Sequence, residues 1–176
     1  MTVRITLLAP AAGPRGRAPR FGAEEPPEHD PVVPGLPPAE RWFTAPGAHC
    51  RATALALGPA AEVAPALADA DPGDWRGRTL DEVAADDPAG LAAWTTDPDA
   101  APPGGESVTA LCRRVGGWLD ALPEGRALAV AGPGAVRAAV VHALAVPPDV
   151  FWRVDVEPLA LTRLTRHSGR WHLRLA

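Results

Sequence analysis

Five histidines, His29, His49, His142, His167 and His172, are the side chains of this sequence that titrate near neutrality. Proton-transfer chemistry must rest on them and on the 21 acidic residues. Lysine, tyrosine, asparagine and glutamine are absent, and all 17 basic residues are arginine, so Schiff-base and phenol chemistry are excluded. The two serines, Ser107 and Ser168, lack a nucleophile-elbow pattern. Cys50 and Cys112 lie far apart and form no Cys-x-x-Cys pair, which signals neither a zinc site nor a redox dithiol and fits reduced, buried thiols. No set of histidines and carboxylates shows ligand spacing, so no metal and no cofactor are expected. His29-Asp30 either closes over a ligand or is a solvated loop pair; His142 sits on an apolar helix, and His167 and His172 belong to a terminal hairpin, so these three read as structural.

The elements that must hold these groups follow from periodicity. Val3 to Leu8 is an apolar, partly β-branched run and reads as a buried first strand. Ala9 to Pro38 is dense in Pro, Gly, Ala and Arg without a helical period, a loop long enough to be functional. Arg41 to Thr44 reads as a second strand, followed by a helix to about Leu57 that Gly58 and Pro59 close, and Glu62 to Ala64 as a short strand. Leu80 to Ala85 and Pro88 to Trp94 are short helices whose Leu80, Val83, Leu91 and Trp94 are expected to face a core. Ser107 caps a strong amphipathic helix with Val108, Leu111, Cys112, Val115, Trp118, Leu119 and Leu122 on one face. Ala127 to Ala131 reads as a buried strand, and Ala135 to Leu144 as an apolar helix. Arg153 to Val156, Leu159 to Thr165 and Arg170 to Leu175 alternate as strands do, with a hairpin turn at His167-Ser168-Gly169. This order predicts an α/β fold, a three-layer α/β/α sandwich around a mostly parallel sheet.

A length of 176 residues, with 47% hydrophobic and 22% charged side chains, fits one folded domain spanning 1–176. A net charge of -4 with interspersed signs argues against a nucleic-acid face. The uncharged runs are too short for a membrane span, and the N-terminus lacks a signal-peptide pattern, so no membrane contact and a cytoplasmic location are expected.

The order of motifs resembles the histidine phosphatase superfamily, the phosphoglycerate mutase-like fold, over nearly the whole chain. Gly104-Gly105-Glu106-Ser107, followed by Arg113-Arg114-Val115, is similar to its Gly-Glu-Ser element. The stretch from Leu67 to Gly77, with Asp69, Gly73, Trp75 and Gly77, is similar to its acid-bearing loop. The Thr53-Ala54 helix is similar to the one that carries an active-site arginine, and Leu128 to Arg137 to the strand-to-helix turn that carries the second histidine. Phe151-Trp152-Arg153 and the closing hairpin fit as well.

The resemblance implies a covalent phosphohistidine chemistry that these residues contradict. Where the family has Arg-His-Gly, this chain has Ala9-Pro10-Ala11, and proline offers no nucleophilic nitrogen. The second histidine matches Gly132, the helix arginine His49 and the acid glutamate Asp69. The family's pocket of two histidines and two arginines is thus absent; since one donor aimed at the transition state is worth roughly 3 to 4 kcal/mol, the expectation is no histidine-phosphatase activity.

Two readings stay open. In the first, the emptied pocket, made more apolar by Pro10, Ala11 and Pro133, takes an uncharged or carboxylated small molecule. His49 and Asp69 then move protons in an isomerisation, cyclisation, elimination or hydrolysis of specialised biosynthesis. In the second, the chain is a non-catalytic pseudo-phosphatase that binds a metabolite or a partner protein, His49 being a drifted surface residue and Asp69 a helix cap or a loop carboxylate. Arg20 matches an arginine near the family's pocket mouth and is expected to contact the ligand, while Arg15 and Arg17 read as solvated. Trp42, with Phe43, either packs the core or lines the pocket, and Glu106 lies near the site. The family also includes dimers, so a homodimer is open to this chain, although no sequence feature specifies an interface.

Overall fold

Strand β1 (Thr2–Leu8) is central because its Val3, Ile5, Leu7 and Leu8 are apolar enough to be covered on both sides. The computed structural model describes residues 2–13, 19–27 and 29–175. After the long loop come β2 (Arg41–Thr44), α1 (Ala48–Leu57) and the two-residue β3 (Glu62–Val63). Short 3-10 turns at Pro65–Leu67 and Gly73–Trp75 lead into α2 (Leu80–Asp86) and α3 (Pro88–Thr96). The second half supplies α4 (Val108–Ala121), β4 (Gly125–Val130), α5 (Pro133–Leu144), a 3-10 helix at Pro148–Arg153, and the hairpin β5 (Leu161–His167) and β6 (Arg170–Arg174).

Six strands form one sheet in the order β3-β2-β4-β1-β5-β6. The β3–β2, β2–β4 and β4–β1 pairs are parallel; β1–β5 and β5–β6 are antiparallel. The fold is therefore the expected α/β arrangement, with a mixed sheet flanked by helices. Register decides what each face carries, because directly paired residues point the same way. Phe43, Ala129 and Leu7 share one face, and Trp118 of α4 meets Phe43 edge-on at 5.4 Å, with α5 packed beside α4. Trp42, Leu128 and Thr6 share the other, covered by α1 at the β2 end, and Val33, Leu36 and Ala39 of the long loop pack against the core.

Helix ends follow local chemistry. Ser107 caps α4 by accepting from Ala110 N (3.2 Å), Thr79 and Glu82 form a reciprocal capping box on α2, and Asp87 caps α3. Among the described residues of the long loop there is no helix or strand, only an isolated bridge between Arg20 and Thr79.

Two expectations are corrected. Arg153 to Val156 is not a strand: the 3-10 helix runs through Arg153, and the extended residues after it have no sheet edge to join. Arg137 Nε instead donates to Val154 O (2.8 Å), and Val156 packs on the core, which explains the alternation without a ladder. Of the four apolar residues expected inward on α2 and α3, Val83 is fully buried and Leu91 and Trp94 half-buried, but Leu80, at the first position of α2, is 52% exposed. Among the described residues no helix is long and apolar enough to cross a membrane.

Candidate active site

In open parallel sheets ligands bind beyond the carboxyl ends of the strands, where connections leave in opposite directions. Here β1 and β4 end side by side, and Ala131 N donates to Leu8 O (3.0 Å) just past them. Beyond β1, Pro10 is buried, and the next amide, Ala11 N, donates to Thr53 Oγ1 (3.1 Å) on α1; Thr53 is fully buried. Beyond β4, Gly132 is the N-cap of α5 and supplies no side-chain cap of its own.

A carboxylate from elsewhere fills that role. Asp69 Oδ1 accepts from Ala135 N (3.2 Å), the third residue of α5, as a capping side chain would. A Cβ at Gly132 would fall 1.9 Å from Asp69 Oδ2, so any side chain at 132 and this placement of Asp69 exclude each other. Asp69 is an exposed residue whose carboxyl is turned in against the start of α5. Burial pushes its pKa above the ordinary carboxylate value; the Ala135 amide, the charge of His49 and the Gly134 amide pull it down, and nearby Glu24 raises it.

The loop carrying Asp69 is held from behind. Arg114 of α4 donates to Ala66 O (2.8 Å) and Ala68 O (3.0 Å), bracketing the approach to Asp69, and grips Glu106 with Nε to Oε1 (3.0 Å) and Nη2 to Oε2 (2.6 Å). Glu106 N in turn donates to Asp71 O (2.9 Å). Gly73, at φ +52, lets this loop pass so near the Pro102–Gly105 turn that a Cβ would sit 2.2 Å from Pro103 O.

His49 is the second residue of α1 and half-buried, and its Nδ1 is buried without a hydrogen-bond partner among the described residues. Gly47, the N-cap of α1, also lacks a capping side chain, and Glu24 Oε2 accepts from Ala48 N (3.4 Å) at this helix end. A Cβ on Gly47 would meet His49 Cε1 at 2.9 Å and Glu24 Oε1 at 3.1 Å, so imidazole and carboxylate both rest on that glycine. Among the described residues no hydrogen bond or ion pair joins His49 to Asp69; their coupling is through charge. Burial, then the charges of Asp69 and Glu24, push the Cys50 thiol far up, and burial pushes Cys112 up to about 11, so neither is a thiolate nucleophile.

Helix N-termini attract anions. Both helix starts at this end of the sheet, α1 and α5, already face the chain's own carboxylates. What they frame is an imidazole close to two carboxyl groups, an arrangement suited to holding and moving protons.

Several sequence candidates lie apart from this centre. The Arg20 guanidinium donates to Gly77 O (2.7 Å) and Glu82 (3.3 Å), beside the capping box of α2. Trp42 lies under Gly58, at the end of α1 remote from His49. Glu106 has both oxygens on Arg114 and acts through the Asp69 loop. His29 and Asp30 line a separate recess with Ala11 and Leu159. Arg15 and Arg17 lie outside the described residues. Sequence reasoning missed Glu24, for which a Pro-rich loop gives no spacing signal, and the clamp role of Arg114, which its eight-residue separation from Glu106 across a helix start left visible.

The comparisons agree with this architecture. Residues 37–176 match the histidine phosphatase superfamily (branch 1). Among solved structures the chain is similar to mycobacterial hydrolase 1, with 21% identity, 99% of this chain and 98% of that chain covered, and a TM-score of 0.79. It is similar to the mycobacterial glucosyl-3-phosphoglycerate phosphatase, with 20% identity, 98% and 97% coverage and a TM-score of 0.77. Alpha-ribazole phosphatase from Shigella flexneri is 17% identical, with 98% and 95% coverage and a TM-score of 0.78. No curated protein sequence matches it significantly. With most of its length matched to that family and its sheet, helices and site loops in the corresponding order, this chain belongs to the histidine phosphatase superfamily.

Proposed function

We propose that this histidine-phosphatase-fold protein does not transfer phosphoryl groups, and that its pocket acts by proton transfer on a small organic molecule. The observation that carries this reading is the Asp69 carboxyl seated over Gly132 on the N-terminus of α5. It occupies the space that a side chain at 132 would need, the position where the resemblance places the family's second histidine, and puts a carboxyl where a phosphate would need donors. Pro10 removes the nucleophile independently. Glu24 and Asp69 together narrow the substrate class to neutral or basic molecules, since a carboxylated one would meet like charge.

His49 is the acid/base group, its Nδ1 without a hydrogen-bond partner among the described residues, and Asp69 sets the charge around it. Isomerisation, cyclisation, elimination and hydrolysis are the reaction types that need no more than this. A cytoplasmic setting and a small-molecule ligand belong to the same reading. One observation favours a second reading, a non-catalytic binding protein: Asp69 is satisfied as a cap and makes no direct bond to His49.

Two measurements test these claims. Purified protein incubated with phosphomonoesters should release no phosphate and form no N–P adduct by phosphorus NMR; either product would overturn the first claim. Incubation with a metabolite extract should show a compound consumed by wild type and spared by His49→Ala. Equal turnover of every compound by the two proteins defeats the acid/base role.

A further inference from the structure

At the other end of the same strands, on the face opposite α4 and α5, register sets arginines against each other. Arg4 of β1 pairs directly with Arg126 of β4, and Arg163 of β5 with Arg174 of β6. Arg4 is also opposite Thr165, and Thr6 opposite Arg163, so the four arginines and two threonines occupy two neighbouring rows across four strands. Adjacent strands lie about 4.8 Å apart. These residues line one recess of about 280 Å³, bordered by Pro37 and Pro38, and among the described residues no acidic one lines it.

Like charges directly opposite on neighbouring strands are destabilising. Arg126 has relief from Glu40 (3.2 Å) at the rim. Among the described residues Arg4, Arg163 and Arg174 have no acidic partner, and Arg163 Nε is buried without any hydrogen bond. In a chain of net charge -4, four of 17 arginines thus share one small recess, three of them without an acidic partner among the described residues. Guanidinium donors are planar and fixed in direction, and they match oxyanions by paired hydrogen bonds; the hydroxyls of Thr6 and Thr165 add donors between them.

We propose that this recess is a binding site for a small multivalent oxyanion, a phosphorylated or polycarboxylated metabolite. It is separate from the centre around His49 and Asp69 and does not depend on how that centre works. The anion supplies the missing countercharge to the two opposed arginine pairs, and the recess admits a compact ligand rather than an extended chain.

Calorimetric titration at low ionic strength with inorganic pyrophosphate, and separately with citrate, tests it. One equivalent of pyrophosphate should bind, and Arg4→Ala and Arg174→Ala should each weaken binding at least tenfold, while Arg113→Ala on exposed α4 surface should not. Thermal unfolding should shift upward with the anion in wild type and not in Arg174→Glu, a readout that also reports whether each variant folds. Citrate binding as tightly as pyrophosphate assigns the site to carboxylates; pyrophosphate alone assigns it to phosphates. Binding that survives the double substitution Arg4→Ala, Arg174→Ala overturns the proposal, as does binding of a short oligonucleotide with neither small anion bound.

Discussion

At the carboxyl ends of β1 and β4 two helix N-termini face the carboxylates of Asp69 and Glu24, whereas the other end of the same strands gathers four guanidiniums, three of them without an acidic partner among the described residues. The difference lies in where each field originates. A helix start is positive whatever its sequence, so carboxylates placed there are stabilised and the pocket is internally compensated. A sheet face has almost no dipole of its own, so the charge at the recess is the arginines' alone and is offset only at Arg126, by Glu40, among the described residues. The same backbone plan thus supports an anion-excluding pocket at one end and an anion-seeking one at the other. Charge removal should therefore act through burial and hydrogen bonds at the pocket and through relieved repulsion at the recess.

The largest effect is expected at the clamp behind the pocket. Arg114→Ala deletes bonds to Glu106 and to the carbonyls of Ala66 and Ala68, leaving a carboxylate only 20% exposed without its partner. The expected loss is about 3 kcal/mol in urea unfolding. A loss under about 1 kcal/mol would show that the Asp69 loop is held by other contacts.

Next in size is Gly132→Ala. The added methyl cannot coexist with the Asp69 carboxyl, so the carboxyl must leave the start of α5, at about 1–2 kcal/mol. The same substitution in an Asp69→Ala background should be nearly neutral, because an alanine is acceptable at Gly132 with its φ of -62. A double-mutant cycle with no coupling would separate the two residues and remove the main support for the reading of the pocket.

The pH dependence of stability gives a third test. Since burial raises the native pKa of Asp69 above its unfolded value, the folded state binds its proton more tightly. Asp69 therefore contributes a decline in stability as pH rises from the ordinary carboxylate value through the raised one. Asp69→Asn, which keeps the acceptor for Ala135 N, should abolish that decline, leaving the variant relatively more stable at neutral pH. A decline of unchanged slope in the variant would assign the titration to another group.

Much of the frame was legible because it rests on local signals. The apolar run of β1, the Ser107 cap and the three- and four-residue spacing along α4 each record a burial that the chain states within a few residues. Gly132 and Asp69 were legible as a pair of departures from a resemblance, but their contact was not, because the clash between a Cβ and a carboxyl is a property of two segments 63 residues apart. Glu24 was invisible for the same reason, as was the bond from Arg20, read as a ligand contact, to Glu82 of the α2 capping box. The arginine recess escaped for a different one. Arg4, Arg126, Arg163 and Arg174 each look like the polar residue of an alternating strand, and only strand order and register turn four solvated positions into one cluster.

The smallest effect should come from that cluster, and its sign is what matters. Arg4→Ala and Arg174→Ala each remove one member of an opposed pair on exposed surface, so the change in stability should stay within about 0.5 kcal/mol. Without anion and at low ionic strength it should be stabilising, because the substitution relieves repulsion. At about 1 M salt, where charges more than roughly 3 Å apart are screened, the gain should vanish. Arg114→Ala, whose loss comes from short hydrogen bonds and a shielded carboxylate, should keep most of its cost under the same salt. If the recess variants instead destabilise at low salt, the guanidiniums there are structural braces, and the two ends of the sheet differ in geometry only.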